Sequence, residues 1–168
     1  MNTFLFVILG IVAMFAIAFI WNRFVAKHPT LARLPMANGE RILFDESGLR
    51  VFQRGHGRST QFINSRLRVT DRRIIVAQKM LLGGDEALRY VFDYTSGDHD
   101  GTDLGTSLRE GALFGSLTPD QLEAASDEAG SHIRLPLGGG ALTRGQHAAI
   151  YTDRAAEIVA RLQRDRPI

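Results

Sequence analysis

The chain has 168 residues, 45% of them hydrophobic and 23% charged, with a formal net charge of +2. It carries no cysteine, which excludes a zinc knuckle and agrees with a reducing compartment. The charge balance gives no sign of a nucleic-acid partner, and the length beyond the first forty residues suits one domain with a real core.

The first predicted element is an apolar run from Phe4 to Trp21, 18 positions without a charge. At about 1.5 Å per residue it would extend roughly 27 Å as a helix, close to the hydrocarbon thickness of a bilayer. Only Met1-Asn2-Thr3 precede it, with no Lys or Arg. The A-x-A shape at Ala16-Ile17-Ala18 lies inside the run, so a cleaved signal peptide is disfavoured. The run reads as a retained transmembrane signal anchor over residues 1–25, with Phe4 and Phe15 facing lipid and Trp21 at an interfacial belt. Arg23, Lys27 and Arg33 follow it, which by the positive-inside rule puts the C-terminal side in the cytoplasm. The expected location is therefore the inner cell membrane, single-pass, with the membrane itself as partner through residues 4–21. Gly10 has Met14 four positions on, so the run lacks a G-x-x-x-G dimerisation motif.

Residues 26–38 carry Pro29 and Pro35, which interrupt a helix, and read as an extended stalk. Short strands are expected next. Arg41–Phe44 ends in Asp45-Glu46-Ser47-Gly48, a turn composition. Leu49–Gln53 alternates, with Leu49, Val51 and Gln53 on one face. Residues 54–60 form a Gly-rich basic loop. Phe62–Thr70 alternates again, Thr70-Asp71-Arg72-Arg73 turns, Ile74–Gln78 pairs back, and Leu88–Tyr94 is rich in Tyr, Val and Phe. Residues 95–117 read as a long polar loop. Thr118-Pro119-Asp120-Gln121 has the form of a capping box opening a short helix to about Glu128. His132–Leu137 and Ala148–Tyr151 are expected strands. Thr152 then caps a helix whose Ala155, Ile158, Val159 and Leu162 make an apolar stripe.

Charge is unevenly spread along the chain. From Arg50 to Lys79 there are eight basic residues against one acid, and from Asp85 to Ser131 eleven acids against two arginines. The two stretches are candidates to face each other and cancel.

The segment Gly39-Glu40 followed by Ile42-Leu43, and above all RLRVTDRRIIV at 66–76, resembles the bacterial pleckstrin-homology-like and GRAM-type pattern, in which a "GE" opens the first strand and a Thr-Asp-Arg-Arg hairpin sits mid-domain. These motifs cover about half of residues 39–168. The resemblance implies a mainly β (α+β) chain: an N-terminal transmembrane helix, then a PH-like antiparallel β-barrel or sandwich with a C-terminal amphipathic helix. An inserted short helix would lie within an acidic insertion at 95–131, which a minimal PH-like domain lacks. The resemblance also implies a binding module rather than an enzyme, without a cofactor, and a loop near the first strands as a phosphoinositide contact.

On that basis Arg54, His56 and Arg58 in the loop, and Arg72 and Arg73 at the hairpin tip, are the candidate contacts for anionic lipid or a protein partner. A domain already held near an anionic leaflet would gain about 1 kcal/mol per basic residue. The alternative is that these arginines form a solvated strand face. No metal or catalytic pattern emerges. Counting from Asp98, the sixth position of a calcium loop is Asp103 and the twelfth Arg109, so that pattern fails. Residues 138–145 are glycine-rich but lack the Lys-Ser/Thr ending of a phosphate loop. The expected function is a membrane-anchored cytoplasmic binding module, with an accessory subunit of a membrane complex as the alternative.

Overall fold

The computed structural model describes residues 2–20, 29–55, 58–80, 85–94, 107–109, 111–138 and 145–165. Helix α1, Asn2–Ile20, occupies the apolar run. Among the described residues no helix is long and apolar enough to cross a membrane. The expected N-terminal transmembrane signal anchor is corrected on that finding. Phe15 is 61% exposed on α1. The side chain of Phe4 and all of Trp21 lie outside the described residues.

Among the described residues the remaining elements are nine strands, two 3-10 turns (Leu31–Arg33 and Pro119–Gln121) and one α-helix. The strands are β1 (Ile42–Gly55), β2 (Arg58–Thr70), β3 (Arg73–Lys79), β4 (Glu86–Tyr94), β5 (Ser107–Arg109), β6 (Ala112–Leu117), β7 (Glu123–Asp127), β8 (Gly130–Pro136) and β9 (His147–Tyr151); helix α2 is Ala155–Arg164. They form one sheet in the order β5-β6-β4-β3-β2-β1-β9-β8-β7. Every ladder is antiparallel except β4–β6. Strands β5 and β7 are its two edges, so the sheet is a half-barrel and not the expected closed barrel or two-sheet sandwich. It curls around one core, in which Val51, Leu67, Ile74 and Phe92 meet Ile133, Ile150, Ile158 and Leu162. Helix α2 lays its Ala155-Ile158-Val159-Leu162 stripe into that core beside β7 and β8.

Three further expectations are corrected by the ladders. Asp45–Gly48 is no turn. β1 runs through it as one strand, with a bulge between Ser47 and Leu49 where Gly48 takes φ +80°. A second irregularity between Leu49 and Val51 accompanies Asn64 of β2 at φ 53°, a left-handed conformation that Asn tolerates. In place of the inserted short helix, a 3-10 turn at Pro119–Gln121, with the Gln121 side chain accepting from the Thr118 N–H at 2.9 Å, leads into β7. Leu122 is 2% exposed; its burial and the β7–β8 ladder outweigh the helical start. The expected long polar loop at 95–117 is also corrected where it is described, since 107–109 and 112–117 are strands of the same sheet.

The segment read as a stalk is fastened to the sheet from Pro29 onward. The Leu88 N–H donates to the Pro29 carbonyl at 2.8 Å, and Thr30 bridges Ala87. Leu31 and Leu34 pack on Ile75, Leu88, Val91 and Phe114, which covers the outer side of β3 and β4. The corresponding side of β1, β9, β8 and β7 carries no such cover among the described residues.

Candidate binding face

The outer face of β1-β9-β8-β7 is assembled by register. Arg50 pairs with Tyr151 and Tyr151 with His132, Phe52 with Ala149 and Ala149 with Arg134, Arg54 with His147 and His147 with Pro136. Because side chains alternate along a strand, Arg50, Phe52 and Arg54 point away from the core that Val51 enters.

At its centre the Tyr151 hydroxyl donates to the Asp127 carboxylate at 2.7 Å and accepts from the Arg54 guanidinium at 3.1 Å. Arg54 reaches the same carboxylate oxygen at 3.2 Å. The Phe52 ring meets Tyr151 edge-on at 5.3 Å, His132 lies 4.9 Å from it, and the Arg50 guanidinium sits 5.5 Å over it. Arg50 also donates to the Ala129 carbonyl at 3.1 Å. The Tyr151 hydrogen bond, with help from Ala129 and Arg54 and against some burial, holds the Asp127 carboxyl below its ordinary range. Burial, then the bond to Asp127, pushes the Tyr151 phenol up.

Beside this cluster lies an open cleft of about 380 Å³ lined by Gln121, Glu123, Arg134, Pro136, Gln146 and His147. Arg134 approaches Glu123 at 3.6 Å, and both are largely exposed. Burial, then the charges of Arg134 and Arg54, lower the His147 imidazole below its ordinary range, against a hydrogen bond with the Gly145 backbone.

The candidate contacts read from the sequence fall in different places. Arg54 belongs to the cluster. His56 lies outside the described residues. Arg58 pairs with Gly55 through the backbone, and its side chain lies outside them. Arg73 is committed elsewhere: its guanidinium binds both oxygens of Glu40 at 2.8 and 2.6 Å and the Pro35 carbonyl at 2.6 Å. The Glu40 side chain is 0% exposed and that of Arg73 12%. Burial raises the Glu40 carboxyl, but hydrogen bonds from Arg73, Ala37 and Thr70 together bring it below its ordinary value. Arg72 donates to the Asn38 carbonyl at 3.1 Å. Arg66 and Arg68 both clasp Asp45, and Arg66 also reaches Glu86 at 3.2 Å. The charge asymmetry is thus partly cancelled in space, through Arg54–Asp127 and Arg66–Glu86.

Phe52, Tyr151, Arg134 and His147 were not singled out by sequence. No short-range spacing links them, because the β1–β9 and β8–β9 ladders bring them together; only the alternation around Val51 pointed outward. Among the described residues no group of three His, Asp or Glu could hold a metal ion. Comparison with protein-family models, with curated proteins and with solved structures found no match.

Proposed function

We propose that this chain is a binding module of the pleckstrin-homology-like kind, whose open face over β7-β8-β9-β1 engages a partner protein. The observation that carries the reading is the exposed pair Arg50 and Arg54 with the partly exposed Phe52, all seated on the buried Tyr151 ring, while residues 29–34 cover the outer side of β3 and β4. Aromatic and arginine side chains on a pre-organised surface are the residues that dominate binding energy at protein interfaces. Tyr151 and Arg54 are held in place before any partner arrives, which lowers the ordering cost of binding. A lipid contact at the hairpin tip has less support, because Arg73 is spent on Glu40 and Arg72 on Asn38.

Site-specific photocrosslinking in cells tests the reading. A photoreactive phenylalanine at position 52 should give discrete adducts of defined mass. The same residue at Ala160, on the exposed side of α2, should give none of them. Identical adducts from both positions would reject the face as the contact.

A further inference from the structure

The cleft beside the aromatic cluster has a chemistry of its own. Arg134 projects from the middle of β8, and its partner at 3.6 Å, Glu123, is 65% exposed. Such an exposed pair is screened by water and easily displaced. The guanidinium offers a planar fork of donors that matches a carboxylate in bidentate fashion. On the adjacent strand His147, at the first position of β9 and opposite Pro136, also lines the cleft. Gly138 and Gly145 flank these two strands with φ of +127° and +73°, conformations that side chains rarely adopt. Gln146 is wedged against Gly55: a Cβ on Gly55 would lie 2.4 Å from the Gln146 Cγ and 3.1 Å from its Cα. The floor is therefore fixed to β1 rather than loosely placed.

We infer that this cleft is a subsite for a carboxylate carried on an acidic peptide segment of the partner, bound by the Arg134 fork and by His147 as it takes up a proton. The inference rests on the partner-binding reading of the same face. Four charged or titratable groups face His147 from the neighbouring strands: Arg134 and His132 on β8, Arg54 on β1 and Glu123 across the cleft on β7. Three of them disfavour its protonation or are themselves cationic when charged. An incoming carboxylate adds a second opposite charge beside Glu123, which is already engaged with Arg134, and a proton is taken up from solvent as it binds. An opposite charge at about 4–6 Å moves a pKa by roughly one unit or more, so affinity should rise up to about tenfold between pH 7.5 and 5.5. Glu123 competes for Arg134, so its neutralisation should strengthen binding.

The test is an NMR titration of the full-length chain with an acetylated, amidated triglutamate peptide, with the triglutamine peptide as neutral isostere. The expected result is a shift of the His147 imidazole resonances with triglutamate only, and an upward move of its titration midpoint. Arg134→Gln should weaken binding about tenfold or more, Arg134→Lys less, and Glu123→Gln should tighten it. His147→Gln should keep binding at pH 7.5 but abolish the gain at pH 5.5. Arg164→Gln, on the exposed end of α2, should change nothing. Equal binding of triglutamine, equal loss from Arg164→Gln, or indifference to Arg134→Gln would overturn the inference. Sodium acetate at matched carboxylate concentration giving the same shifts would overturn the peptide assignment. The two readings fail separately. Loss of the position-52 adducts with triglutamate binding intact removes the partner face, whereas adducts that persist unchanged in Arg134→Gln remove the subsite.

Discussion

At the scale of single residues, the arginines divide by what their guanidinium already holds. Arg73 and Glu40 are both nearly hidden, and each satisfies the other through two hydrogen bonds. Replacing Arg73 by Gln leaves a buried carboxylate without its cation, a defect that costs about 3 kcal/mol. Replacing the neighbouring Arg72 by Gln removes one exposed bond to the Asn38 carbonyl and should stay within about 0.5 kcal/mol. Urea unfolding of the two variants checks the contrast; equal midpoints would show that the Glu40 pair carries no stability. This asymmetry was illegible in the sequence, where Arg72 and Arg73 are adjacent and chemically identical. It is set by Glu40, thirty-three positions away, whose "GE" context reads as a strand start and not as a counter-charge.

At the scale of elements, the regular patterns were the legible part. β3 and β4 show continuous burial of Ile74–Ala77 and Tyr90–Phe92, and α2 shows the 3.6 period of its four buried residues. Irregular elements were misread for a shared reason: local turn or cap chemistry was present but served another purpose. Asp45–Gly48 has turn composition, yet the β1–β2 ladder absorbs it as a bulge. Gln121 caps, yet only for one 3-10 turn. Gly48 and Gly55 separate two demands on glycine. Nothing lies within 4 Å of a Cβ at Gly48, whose φ is +80°; Gly48→Ala therefore meets only left-handed strain of about 1–2 kcal/mol. Gly55 has no such φ but abuts Gln146, so Gly55→Ala must push the start of β9 aside. Hydrogen exchange should show Gly48→Ala lowering protection evenly, and Gly55→Ala lowering it first at His147–Ala149. Matching protection profiles would contradict the packing of Gln146 against β1.

At the scale of the whole molecule, one core joins β1–β4 to β8, β9 and α2, so local charge changes are felt as global stability. Glu40 and Asp45 are both lowered from ordinary values of 4.5 and 3.8. For Asp45 the raising effect of burial is overcome by hydrogen bonds from Arg66 and Arg68. The folded state then binds fewer protons than the unfolded one, so their contribution is whole above about pH 4.5 and is lost as pH falls through the folded values. His147 is lowered from 6.5, chiefly by burial; its neutral form is stabilising above about 6.5, and that contribution fades as pH falls toward its folded value. Asp93, raised from 3.8 by burial, works in the opposite sense and partly offsets that loss. Melting temperature should therefore be flat above pH 7, decline gently below 6.5 and fall steeply below 4. His147→Gln should erase the gentle decline alone; a curve unchanged by that variant would show that His147 titrates equally in both states. Triglutamate supplies a second condition on the same group. A bound carboxylate raises the His147 pKa, the complex takes up the proton that the free protein refuses, and the gentle decline should flatten or invert as the peptide saturates. Stability and binding would then be two readings of one imidazole, opposed in sign because burial excludes its charge and the ligand demands it.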